Sequence, residues 1–212
     1  MNGKKILRLI VLCVLVIATL VWLLVLRSGP LKLPNTISTV AMGYPYAVKL
    51  KDAVAPQAYL TGVLVDLDCS NNTFETESIS YGFRIPNKKR TIIVLVDNVS
   101  RTAYSAVADD PNRFPIPESV QFQRFDLSQI PKDISNVLAI AESSDLSEFC
   151  RIVPAEDRNI YLRLGNGVSG ITWSVVGDGW DQKGPIADLH IEINATNGVV
   201  IRHSLDKALG RS

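Results

Sequence analysis

The stretch "IADLHIEINATNGVVIRHS", Ile186–Ser204, decides the reading of the fold. In a strand, side chains alternate between two faces. That places Ala187, Leu189, Ile191 and Ile193 on one face and Asp188, His190 and Glu192 on the other. The first set is a core face and the second a wet one. "NATNG" then reads as a turn, in which Gly198 supplies a backbone conformation that other residues resist. Val199 and Ile201 begin a return strand with His203 near its end. The stretch is therefore a β-hairpin, with one of the chain's two histidines on each strand. A zinc ion needs more nitrogen or sulfur ligands than this hairpin offers, and no cysteine lies beside it. The histidines read as the edge of a folded module, and no metal site is expected.

Upstream, "GDGWDQKG", Gly177–Gly184, reads as a polar hairpin loop with Trp180 at its tip. It lacks the spaced oxygen ligands and distal glutamate of an EF-hand loop. An exposed indole there is amphipathic and suits contact with a partner, so Trp180 is the candidate contact residue. "LGNGVSG", Leu164–Gly170, matches neither a P-loop nor a dinucleotide fingerprint and reads as a turn. "NKKR", Asn87–Arg90, reads as a short basic hairpin turn. No serine, cysteine or carboxylate stands in a catalytic setting, so no catalytic residue and no cofactor are expected.

A similar order of elements occurs earlier. "ISYGFRIPNKKRTIIVLVDNVSRTAYSAV", from Ile79, and the stretch from Ile171 each run from an aromatic strand (Tyr81, Trp173) to an apolar strand, a turn and a closing strand. Stretches with helical character precede both: "DAVAPQAYLTGVLVDLD" and "DISNVLAIAESSDLSEF"; in the first, "YLTGVLVDLDC" alternates apolar and polar near its end, so part of it also fits a strand. In the second, Asp133 suits an N-cap, and Ile134, Val137, Leu138 and Ala141 fall at helical spacing. The expected fold is α+β, with two small units of one helix on an antiparallel sheet, over residues 52–110 and 133–204. Residues 111–132 would link them, and 205–212 would form a tail.

On the features "VLAIAESS", "ITWSVV" and "LHIEINATNGVVIRH", the second unit resembles the PepSY domain, and the two units together resemble divergent PepSY-like units in tandem. The resemblance implies an extracytoplasmic, membrane-anchored bacterial protein and, for some members, control of peptidases. It carries no catalytic residue set.

The N-terminal region bears on location. "LIVLCVLVIATLVWLLVL", Leu9–Leu26, is an uncharged run, close to the ~20 apolar residues that span a bilayer. Lys4, Lys5 and Arg8 precede it, which favours a cytoplasmic N-terminus (residues 1–8) and an extracytoplasmic remainder. A cleaved signal peptide would have a shorter apolar region and small residues at its end. A lipoprotein cysteine at Cys13 would follow a small residue, not Leu12. An uncleaved single-pass anchor is the reading. Residues 27–51 read as an extended tether, in which Pro30, Pro34 and Pro45 forbid a continuous helix.

The net charge of +1 gives no support to a nucleic-acid partner. Cys69 and Cys150 lie outside the apolar run, and in an oxidising compartment they suggest a disulfide. Closing that loop would stabilise the fold by roughly 4–5 kcal/mol in the chain-entropy model. Two buried free thiols are the alternative. The expected function is binding of a peptide or protein in the bacterial envelope without catalysis. Rival readings are a structural subunit of a membrane complex and an envelope hydrolase.

Overall fold

In the computed structural model, residues 30–69, 73–88, 90–109, 124–167 and 170–208 are described. The apolar run Leu9–Leu26 lies outside them. Among the described residues no helix is long and apolar enough to cross a membrane.

The strands form by strict alternation. "YLTGVLVDLD" buries Val63, Val65 and Leu67 and leaves Gly62, Leu64 and Asp66 only partly covered. The strands are β1 (Leu31–Lys32), β2 (Tyr59–Asp68), β3 (Glu75–Arg84), β4 (Arg90–Asp97), β5 (Thr102–Asp109), β6 (Arg158–Gly167), β7 (Gly170–Asp181), β8 (Gly184–Asn194) and β9 (Val200–Lys207); β3, β4, β6, β7 and β8 repeat the alternation of β2, whereas most of β9 is exposed. They build a single nine-stranded sheet in the order β1-β5-β4-β3-β2-β6-β7-β8-β9. Every pairing is antiparallel.

The expectation of two separate helix-plus-sheet units is corrected here. β2 and β6 pair directly, from Gly62 opposite Gly165 to Leu67 opposite Ile160. Val63, Val65 and Leu67 meet Leu164, Leu162 and Ile160 there, all buried, so the core runs unbroken through the junction. The physical reason is an edge. β2 and β6 are the first strands of two meanders, and each would otherwise expose a row of unpaired backbone groups.

Three helices cover one face. α1 (Val40–Val54) starts at Thr39, whose hydroxyl accepts from Met42 N at 3.1 Å. It buries the stripe Val40, Gly43, Ala47 and Leu50 on β3, β4 and β5. This helix occupies most of the expected tether, and the stretch 52–68 is mainly strand β2, the alternative its alternation had left open. Pro45 does sit inside α1. It lies on the solvent side together with Ala41, whose carbonyl would have accepted the missing N–H and can face water instead.

α2 (Ile134–Glu142) carries an Asp133–Asn136 capping box, and a break at Ser143–Asp145 separates it from α3 (Leu146–Ile152). The break turns the chain so that Phe149 reaches β7 and β8. A Cβ on Gly177 would meet the Phe149 ring at 2.8 Å, so only glycine lets the ring down onto the sheet. "GDGWD" is not a loop but the last part of β7. The turn is left to Gln182–Lys183, with Gly184 at φ 115°.

Candidate functional site

All three helices pack on the face that carries Tyr81, Trp173, Leu162 and Ile191. Among the described residues nothing covers the other face. Its side chains follow from the register. One row crosses eight strands as Tyr104, Leu95, Ser80, Leu64, Arg163, Ser174, Glu192 and Arg202. The next row toward the β4–β5 turn runs Thr102, Asp97, Ser78, Asp66, Tyr161, Val176, His190 and Ser204.

At the centre the face is bare backbone. Gly82, Gly62 and Gly165 stand side by side on β3, β2 and β6. A Cβ there would meet nothing closer than 3.7, 3.6 and 3.9 Å respectively. These are ordinary contacts, so internal packing does not exclude side chains at these positions. Glycine in a strand interior weakens it and often marks close approach by another chain. Leu64, Leu95, Ile93 (40% exposed) and Tyr104 (43% exposed) form an apolar border on the β4–β5 side.

The far half is charged. Asp178 of β7 lies opposite Asp188 of β8, which lies opposite Asp206 of β9. Like charges directly opposite one another destabilise a sheet. Burial, reinforced by the Asp188 carboxylate, pushes the Asp178 carboxyl above its ordinary value. Burial also lowers the His190 imidazole, helped by Arg202, and lowers the Arg163 guanidinium. These ionisable groups are thus partly withdrawn from water on the face that no helix covers among the described residues. Trp180 is two residues beyond Asp178, just past a register shift between β7 and β8, and is 58% exposed.

The two histidines do not meet. His190 pairs with Ser204 on the uncovered face, whereas His203 lies opposite buried Ile191 on the helix side. There His203 Nδ1 is 2.5 Å from Asp145 at the α2–α3 break. Among the described residues no group of His, Cys, Asp and Glu could hold a metal ion.

Cys69 and Cys150 carry free thiols. Cys69 directly follows strand β2 and Cys150 lies within α3. Both contribute to one core cluster. The acidic register was missed from the sequence, because Asp178, Asp188 and Asp206 become neighbours only when three strands align.

No protein-family model and no curated protein matches the chain. Among solved structures, the chain is similar to the crystal structure of "a putative lipoprotein" from Clostridium difficile 630. The identity is 10%, the TM-score 0.47, and the match covers 77% of this chain and 92% of that one.

Proposed function

We propose that the chain is a membrane-tethered, extracytoplasmic binding module of the bacterial envelope. Its uncovered sheet face receives an extended, cationic polypeptide segment without turning it over. The observation that carries this reading is the one-sided covering of the sheet: three helices lie on one face, and bare glycines with partly exposed apolar side chains lie on the other. Charge complementarity names the occupant. Asp178, Asp188 and Asp206 repel one another in the free protein, and lysine or arginine side chains of a partner would relieve that repulsion. Trp180 beside them suits an anchoring contact, because indole stacks on guanidinium and ammonium groups.

The tether and location rest on the uncharged run Leu9–Leu26 and its basic N-terminal flank. Kinship with PepSY domains and influence over an envelope peptidase belong to the same proposal and add no binding residue to it.

The test titrates the full chain in nanodiscs with lysine- and arginine-rich peptides and with acidic peptides of matched length. Expected is a change in tryptophan fluorescence with the basic peptides only, weakening as salt is raised because screening shortens the reach of surface charges. Equal binding of acidic and basic peptides would refute the charge argument, and cleavage of the bound peptide would refute the absence of catalysis.

A further inference from the structure

The two thiols outside the N-terminal apolar run both lie by the β2–β6 junction: Cys69 directly follows β2, and Cys150 of α3 is bonded by the first residue of β6. The last register pair there is Leu67 opposite Ile160. Just past that pair, Cys69 directly follows β2 and Arg158 opens β6. Cys69 is buried in the core. Arg158 in turn reaches α3, where its Nη1 donates to the Cys150 carbonyl at 3.3 Å. Its Nε is buried and has no hydrogen-bond acceptor among the described residues. Cys69 is buried and Cys150 half-buried, and both pack into the same core cluster. The guanidinium thus bonds to the residue of one thiol, and its charge acts on both.

We infer that Cys69 and Cys150 are partners in a reversible disulfide that ties strand β2 of the first meander to helix α3 above the second. The pair is independent of the uncovered face, since it lies on the opposite side of the sheet.

The order of attack follows from the surroundings. Burial raises both thiols, but Arg158 opposes the rise at Cys150 by hydrogen bond and charge. Cys69 is pushed up to about 12 by burial and then by its neighbour Cys150. The thiolate is the nucleophile, so Cys150 reacts first. Its sulfur attacks the disulfide of an envelope thiol oxidant, forming a mixed disulfide and expelling one oxidant thiolate. The Cys69 sulfur then attacks Cys150 Sγ, forms the intramolecular bond and expels the second thiolate. Two electrons pass to the oxidant, and the two thiol protons end on its two released sulfurs.

The test uses the folded full chain carrying Cys13→Ser, so that only Cys69 and Cys150 can be labelled. After incubation with oxidised glutathione it is denatured without reductant and treated with a maleimide of known mass. Expected is a loss of both labelled thiols, restored by dithiothreitol, with a Cys69–Cys150 linked peptide in a non-reduced digest. Two labelled thiols after oxidation would overturn the inference, and so would a stable glutathione adduct on Cys150 with Cys69 still reactive. Brief labelling of the reduced native chain should mark Cys150 ahead of Cys69. Arg158→Gln should slow that first labelling several-fold near neutral pH and less at high pH. An unchanged rate and pH profile would remove Arg158 from the mechanism.

Discussion

The carboxylate of Asp133 accepts a hydrogen bond from Val40 N at 3.2 Å, across the boundary between the two halves of the chain. The same oxygen accepts from Ile134 N at 2.8 Å. One side chain therefore meets the first turns of both α1 and α2, where backbone N–H groups have no partner within their own helix. A capping residue normally serves one helix.

Asp133→Ala should accordingly destabilise the protein by about 1–3 kcal/mol, above the usual range of ~0.5–2 for a single lost cap. Chemical denaturation followed by circular dichroism checks this. A loss of only a few tenths would mean that the Val40 contact contributes nothing.

Gly43 and Tyr81 form a second coupled pair. A Cβ at Gly43 would collide with the Tyr81 hydroxyl, which donates to Val40 O at 2.6 Å. Gly43→Ala should therefore cost roughly 1–3 kcal/mol, although alanine is otherwise worth about 0.5–1 kcal/mol over glycine inside a helix. In a Tyr81→Phe background the hydroxyl is gone and the same substitution should cost much less. A double-mutant cycle with no coupling would contradict the contact.

The tryptophans of β7 separate packing from binding. Trp173 is 1% exposed and its indole N–H donates to Lys132 O at 2.9 Å. Trp173→Ala should cost about 3–5 kcal/mol, as for other large buried side chains. Trp180→Ala should change stability by less than about 0.5 kcal/mol while weakening binding of the basic peptide. If Trp180→Ala unfolds the protein as badly as Trp173→Ala, the indole belongs to the fold and the binding proposal loses its aromatic anchor.

Asp178→Asn should stabilise the free protein by roughly 0.2–1 kcal/mol, because it removes a like-charge cross-strand pair, and should weaken peptide binding. The Asp178 carboxyl is raised in the folded state, so its repulsion is present above its folded pKa. Stability is regained as the pH falls through that value. The melting temperature of the wild type, measured against pH, should therefore approach that of Asp178→Asn on mild acidification. A variant that is less stable at pH 7 would show that the carboxylate is structural.

Glu148 ties α3 to β9. It accepts from Arg151 Nε at 2.7 Å and from Lys207 Nζ at 2.9 Å. The bond from Arg151, then that from Lys207, lowers its carboxyl from 4.5 to about 2. A carboxylate lowered on folding contributes stability above its unfolded pKa and loses it as pH falls through the folded value. Wild type and Glu148→Gln should thus differ above pH 4.5 and converge toward pH 2. A difference independent of pH over that window would rule out the ionic contribution.

Much of the local structure was determined by the sequence alone. The alternation in Ala187–Ile193, the turn glycine Gly198 and the N-cap at Asp133 are short-range patterns, each set by backbone geometry within a few residues. The helix α1 was read as an extended tether because of Pro45, and only the folded chain shows that Pro45 and Ala41 face solvent. What the tertiary structure decided is which strands become neighbours. Backbone hydrogen bonds carry no address, so the apolar alternation of β2 reads the same whether its neighbour is its own hairpin partner or a strand about a hundred residues away. Pairing β2 with β6 turned two expected units into one sheet. The same pairing put Gly62 beside Gly165. Across the other half, alignment of β7, β8 and β9 gathered Asp178, Asp188 and Asp206 into one row. These are long-range juxtapositions, stabilised by burying apolar side chains across strands rather than by any motif, and they appear only when the sheet closes.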